Sequence, residues 1–218
     1  MKVKLCGQTR AKDIRFSFES GADLCGVVLE VESSPRSMTI DSAKPLFDEF
    51  GEKLFALTAN AEMNLYKNIA VTLKPAAIQL TADETVDTVK RIIETTGLSV
   101  FKSLHLPQEG GAGSAEDFEI LMERYVEAGV TGFVLDTRVP NMYGGSGVKS
   151  DWTLARSVIE SASAEVFLAG GINPDNVLEA ASLHPDGIDL ASGVEEAPGI
   201  KSQEKIKALF KALETVKH

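Results

Sequence analysis

Cys6 and Asp136 are the two side chains in this sequence whose surroundings best suit acid–base work. Cys6 closes the apolar run VKLC and is followed at once by Gly7, Gln8 and Thr9, an open turn. A free cysteine is most often a small buried hydrophobe, and Cys25, at the start of LCGVVLE, reads that way. A thiol at a strand end can instead serve as a base when its pKa is drawn below ~8.5. Lys4, two residues back, shares the side of the strand that Cys6 points to, and its charge would favour the thiolate. A buried lysine needs a partner, and Asp189 is the candidate. Asp136 ends GFVLD; aspartate is depleted from strands, so a carboxylate there is either a turn residue or a chemical group. A thiol and a carboxylate on opposite sides of one substrate can take a proton at one atom and deliver one at another. Isomerisation of a sugar requires that pair of transfers.

Binding groups accompany them. Arg36, in SSPRS behind the stiff Pro35, can offer two parallel hydrogen bonds to a carboxylate or phosphate. Gly170 and Gly171 in AGG, with Ser192 and Gly193 in ASG, end two late strand candidates and leave backbone N–H groups open to an anion. GGSG (144–147), inside the long stretch 137–150, suits a lid or a wall of the site, with Trp152 as its packing anchor. The histidines His105, His184 and His218 show no ligand spacing, and no Cys/His pattern matches a metal site. No metal and no cofactor is expected.

The elements that must position these groups alternate along the whole chain. Strand candidates lie at 3–7, 24–30, 53–59, 76–82, 99–106, 132–136, 165–171 and 187–193. Amphipathic helical patterns fall between them, as at 41–51, 115–129 and 202–216. Gly21, Gly51, Gly97 and Gly129 supply helix stops, and Asp13, Asp41, Asp83 and Ser150 or Asp151 supply caps or acidic first turns. Eight β–α units at a spacing of roughly 27 residues predict a single (β/α)8 TIM barrel with eight parallel strands. The competing open doubly wound sheet lacks its GxGxxG after the first strand. No linker or composition break divides residues 1–218, which read as one domain. In such barrels chemistry sits at the C-terminal strand ends, where Cys6, Arg36, Asp136 and the glycine turns fall, and the loops after strands 7 and 8 are the frequent phosphate site.

Composition narrows the class. A net charge of −10 argues against nucleic acid, which needs a basic face, so any phosphate site must be local. The opening MKVKLCGQTR turns polar too soon for a signal peptide, and no stretch approaches the ~20 apolar residues that span a bilayer. Two cysteines are too few for a disulfide framework. A cytoplasmic location, a monomer or homodimer, and a small phosphorylated substrate are the expectations.

The motifs together resemble the phosphoribosylanthranilate isomerase family of tryptophan biosynthesis. KLCGQT, GADLCGV, SSPRS, LDTRVPNMYGGSGVKSDW, LAGGINPDNV and GIDLASGVEEAPGIK match that family's motifs, in order and nearly from end to end. The resemblance implies an Amadori rearrangement of N-(5-phosphoribosyl)anthranilate to a 1-deoxyribulose phosphate. It implies Asp136 as the acid, Cys6 as the base and Arg36 on the anthranilate carboxylate. Gly170, Gly171, Ser192 and Gly193 would hold the phosphate. Three places depart from the pattern. Strand 4 ends QLTA where the family has QLHG, putting Thr81 in the histidine's place; strand 3 ends ALTAN, with Thr58, and keeps only Asn60 of VFVN; and Ser202 replaces the aspartate of VKD. An isomerase of a related phosphoribosyl-amine and a non-catalytic phosphate-ligand barrel are the alternative readings.

Overall fold

In the computed structural model, which describes residues 1–107, 113–137 and 152–214, eight parallel strands close into a barrel. They are β1 Lys2–Leu5, β2 Leu24–Leu29, β3 Leu54–Thr58, β4 Ala77–Leu80, β5 Val100–Leu106, β6 Gly132–Thr137, β7 Glu165–Leu168 and β8 Gly187–Leu190. Neighbours in sequence pair in parallel around the ring, and β1 pairs with both β2 and β8, which closes it. Each strand is followed by a helix: α1 Ala11–Ser20, α2 Ile40–Phe50, α3 Met63–Thr72, α4 Val86–Thr96, α5 Ala115–Glu127, α6 Trp152–Ser161, α7 Val177–Ala181 and α8 Gln203–Glu214. A short hairpin, Glu195–Ala197 with Ile200–Lys201, follows β8. The barrel expectation is met. Among the described residues no helix is long and apolar enough to cross a membrane.

Alternation along each strand divides the core in two. Outward residues such as Leu5, Val27, Leu80, Phe133, Leu168 and Ile188 pack under the helices in one large cluster. Inward residues form a second, smaller cluster that includes Cys6, Phe55, Leu57, Phe101, Val134, Phe167 and Ala169. Large rings fit inside because glycines face them: a Cβ on Gly132 would lie 2.5 Å from the Phe101 ring, and one on Gly187 2.8 Å from Phe167. The three interior phenylalanines then pack ring against ring, tilted for Phe55–Phe101 with centroids 4.9 Å apart and edge-on for Phe101–Phe167 at 5.7 Å.

Helix ends follow the sequence except at Gly51 and at Asp83, which precedes the Thr85 cap of α4 and leaves the first-turn acid to Asp87. Gly21 and Gly97 take the left-handed conformation that ends α1 and α4, whereas Gly51 stays right-handed and begins a 3-10 turn over Gly51–Lys53. The chain continues coiling there, so no left-handed stop is needed. Asp13 and Asp41 lie in first turns, but Thr39 and Thr85 supply the caps of α2 and α4, through hydroxyls that accept from Ser42 and Thr88. Strand 7 stops at Leu168, short of the expected 171, so Gly170 and Gly171 belong to the turn beyond it. Ser150, Asp151, His218, the GGSG run and all of 137–150 except Thr137 lie outside the described residues.

Candidate active site

A polar layer lies above the aromatic floor of the barrel. Lys4, fully buried on β1, donates to Asp189 Oδ2 at 2.7 Å and to Gln79 Oε1 at 2.8 Å, and Gln79 donates to Ser103 Oγ at 3.1 Å. The expected Lys4–Asp189 pair is thus present, and the strand register explains it, because the two residues are direct neighbours across β1 and β8. Burial alone would lower the Lys4 ammonium; the adjacent carboxylate outweighs it and holds Lys4 above its ordinary range. Removing one partner leaves the other buried and charged. Lys4→Met is therefore expected to destabilise the fold by about 3–5 kcal/mol, read as a lower urea midpoint.

Cys6 sits one step toward the barrel mouth from Lys4. It packs with Leu57 and Val134, and its thiol fits against Gly26, where a Cβ would come within 2.9 Å of Sγ. Burial pushes the Cys6 thiol up to about 11; Lys4 pulls against that, as does Lys201, while Asp189 adds to the rise. Lys4 does favour the thiolate, as expected, but it does not bring the thiol below its ordinary range. The lysine's charge is shared with Asp189, and desolvation wins. Cys25, equally buried, is pushed to about 12, and Gln8 donates to its sulfur at 3.5 Å, which fits a structural role.

These positions set a labelling result. Because the native thiol is neutral below about 11, each pH unit above 7 should raise the rate of Cys6 alkylation by iodoacetamide about tenfold. Cys25 should stay unlabelled in the folded protein. Peptide mass spectrometry reads both, and a Cys6 rate flat from pH 6 to 9 would show a thiol already ionised.

Asp136 lies on β6 two residues beyond Val134, so alternation turns it to the same interior, at the mouth and half-buried. Its register neighbour on β5 is His105. His105 also faces inward, with its Nε2 3.1 Å from the Thr81 carbonyl oxygen. Thr81, where the family pattern has histidine, donates its hydroxyl to the Thr58 carbonyl at 2.8 Å and so ties β3 to β4. Thr58 itself is buried and its hydroxyl reaches Tyr66 Oη at 3.4 Å. Lys102, also buried, faces the helices and pairs with Glu84 at 3.1 Å, away from the mouth.

The glycine turns sit beside each other. Gly170 and Gly171 both have positive φ, 93° and 67°. Ser192–Val194 forms a 3-10 turn directly after β8. A Cβ on Gly193 would collide with the Ile172 backbone, so only glycine allows the two loops to close on each other. Among the described residues, no acceptor takes the amides of Gly170, Gly171, Ser192 or Gly193. Four amides without an acceptor thus meet in adjoining turns, a geometry that suits an anion.

Two residues at the mouth were not picked out from the sequence, Glu195 and Lys201. Arg36 is buried, and its Nε and Nη2 donate to the Glu195 carboxylate at 2.9 and 2.6 Å. Lys201 donates to the same carboxylate at 2.9 Å, to the Ala191 carbonyl at 3.3 Å and to the Cys6 carbonyl. Burial would raise Glu195, but the Arg36 hydrogen bonds and the Lys201 charge hold it below its usual range. Burial lowers Lys201, with Glu195 opposing. The available signal was the spacing of a glutamate and a lysine around the turn APG, which places them opposite each other on a hairpin.

A closed parallel barrel whose C-terminal mouth gathers a thiol, a carboxylate, a buried arginine and free amides defines an enzyme class, the (β/α)8 isomerases of small phosphorylated substrates. The comparisons agree. The chain belongs to the N-(5'-phosphoribosyl)anthranilate isomerase family, whose model matches residues 3–212. It is 34% identical to the N-(5'-phosphoribosyl)anthranilate isomerase of Methanopyrus kandleri over 99% of this chain and 100% of that protein. It is 32% identical to the one from Agrobacterium fabrum, over 95% and 92%. Among solved structures, the phosphoribosyl anthranilate isomerase of Thermus thermophilus superposes with a TM-score of 0.81 at 28% identity, covering 99% of this chain and 100% of that one. Another, solved in complex with reduced 1-(o-carboxyphenylamino)-1-deoxyribulose 5-phosphate, superposes at 0.78 with 27% identity over 99% of each chain.

Proposed function

We propose that this chain is an N-(5'-phosphoribosyl)anthranilate isomerase of tryptophan biosynthesis in which Asp136 is the general acid and Cys6 the general base. The observation that carries the assignment of roles is that both side chains belong to the inward rows of the barrel and reach its mouth from well-separated strands, β1 and β6. Asp136, protonated, gives its proton to the furanose ring oxygen; the C1–O bond breaks and the anilino nitrogen's lone pair forms the Schiff base. Cys6, as thiolate, takes the proton from C2; the electrons of that C–H bond form C1=C2 while the C1=N π pair returns to nitrogen, giving an enolamine that tautomerises to the ketone. Over one turnover the acid loses one proton and the base gains one, and exchange with solvent restores both. A thiol pushed to about 11 is a reluctant acid, but its thiolate is correspondingly strong as a base, with Lys4 and Lys201 nearby to favour the charge.

The amides of Gly170, Gly171, Ser192 and Gly193 suit the substrate phosphate, and Arg36 suits the anthranilate carboxylate. Residues 1–218 are read as one domain, cytoplasmic, without affinity for nucleic acid, and monomeric or homodimeric; a dimeric relative is known from Thermotoga maritima. One observation keeps a second substrate in view. Thr81 spends its hydroxyl on the Thr58 carbonyl, so the β3–β4 wall differs from the family pattern and could favour another phosphoribosyl-amine. The experiment is complementation of a tryptophan-requiring strain that lacks this step. Growth supports the anthranilate substrate; no growth, with turnover of a different phosphoribosyl-amine in vitro, favours the second reading.

A further inference from the structure

Arg36 alone would be a poor reader of carboxylates. It is a long, flexible side chain on a loop, and an unanchored guanidinium loses entropy whenever it binds. Here it is anchored. Its Cδ lies over Gly7, where a Cβ would come within 2.5 Å, and Gly7 has a φ of 73° that disfavours any other residue. Its Nε–Nη2 edge is taken by Glu195, whose Oε1 also accepts from Lys201 at 2.9 Å and from the Gly199 amide at 3.2 Å. Both carboxylate oxygens are thereby committed and the group is fixed in place.

A guanidinium has five N–H donors. Glu195 uses Nε–H and one hydrogen of Nη2, which leaves the Nη1–Nη2 end free, with no acceptor on Nη1 among the described residues. That end presents two parallel donors, the fork that matches a planar carboxylate. Charge points the same way: Arg36 and Lys201 bring two positive charges against the one negative charge of Glu195, so one is left over for an incoming anion. Lys201 joins this cluster to the catalytic strand, because the same ammonium holds the carbonyl of Cys6.

We propose that Glu195 is the positioning residue that makes Arg36 a carboxylate reader of fixed orientation and, through Lys201, ties it to the strand end that carries Cys6. The inference rests on the reading of Arg36 as the group that meets the anthranilate carboxylate, and it names Glu195 as the residue that sets the preference for a carboxylate-bearing aglycone.

The test compares two substrates that differ only in that carboxylate, phosphoribosylanthranilate and phosphoribosylaniline, in wild type and Glu195→Gln. The glutamine keeps the shape but weakens the hold on Arg36 and Lys201. The expected result is a fall of roughly tenfold in the ratio of kcat/KM values, anthranilate over aniline, carried mainly by KM for the anthranilate substrate. If both substrates lose equally and the ratio stays at its wild-type value, Glu195 is only structural and the inference is overturned, while the proposed function stands. If the wild type turns over neither substrate, the proposed function falls and the inference with it. Should Glu195→Gln fail to fold, the wild-type protein crystallised with reduced 1-(o-carboxyphenylamino)-1-deoxyribulose 5-phosphate decides. Arg36 still forked on Glu195, with the ligand carboxylate on its Nη1 end, supports the inference; Arg36 swung away from Glu195 overturns it.

Discussion

Cys6→Ser should lower kcat by ~10² or more with a much smaller change in KM, because a positioned proton-transfer group typically contributes 10²–10⁴-fold. Serine is nearly the same size, so the contacts with Leu57 and Gly26 survive and the barrel should keep its stability. What is lost is basicity on demand. A hydroxyl ionises far less readily than a thiol, even than one raised to about 11, and the Lys4 and Lys201 charges that help to form the thiolate cannot close that gap. Steady-state assay of the purified variant checks the size of the loss, and a thermal melt checks that the fold is intact. Wild-type turnover in this variant would remove Cys6 from the chemistry.

Asp136→Asn should produce a loss of similar size, again ~10² or more, for a different reason. Asparagine preserves the shape of a half-buried side chain at the end of β6 but has no carboxyl proton to give the ring oxygen. The furanose then stays closed, and the later steps wait on it. Because the proposed phosphate and carboxylate sites lie elsewhere, KM should move little. A variant that kept kcat and raised KM would mark Asp136 as a binding group rather than an acid.

Much of this molecule could be read from its residues because a barrel repeats one physical rule. Each apolar β-branched run buries one face under a helix, and the helix that follows must be amphipathic, so eight units could be counted from pattern alone. Cys6 and Asp136 were visible because they stand at the ends of apolar strand runs, and Arg36 because it follows Pro35 in a rim loop, all at the end of the barrel where the fold places its chemistry. The Lys4–Asp189 pair followed from two charged residues set into apolar strands that a closed ring must bring together. The rest depended on distances that sequence does not encode. Glu195 and Arg36 are 159 residues apart and meet only because the hairpin after β8 folds back over the end of β1. The neutral state of Cys6 is a balance between burial and two ammoniums, each already shared with a carboxylate, and local sequence carries the charges but not the burial. Gly193 is similar: its role as an open amide was legible, whereas the need for a bare Cα against the Ile172 backbone was not.

The two roles assigned to the mouth differ in order, and a chemical trap separates them. In the proposed mechanism ring opening by Asp136 comes first and removal of the C2 proton by Cys6 second, so each variant should stall on its own side of the Schiff base. Borohydride added during a single turnover reduces that Schiff base to a stable amine, which mass spectrometry can count above the enzyme-free background. The expected result is accumulation of the reduced, ring-opened species with Cys6→Ser and none above background with Asp136→Asn. Equal amounts in the two variants, or more with Asp136→Asn, would contradict the assignment of acid and base.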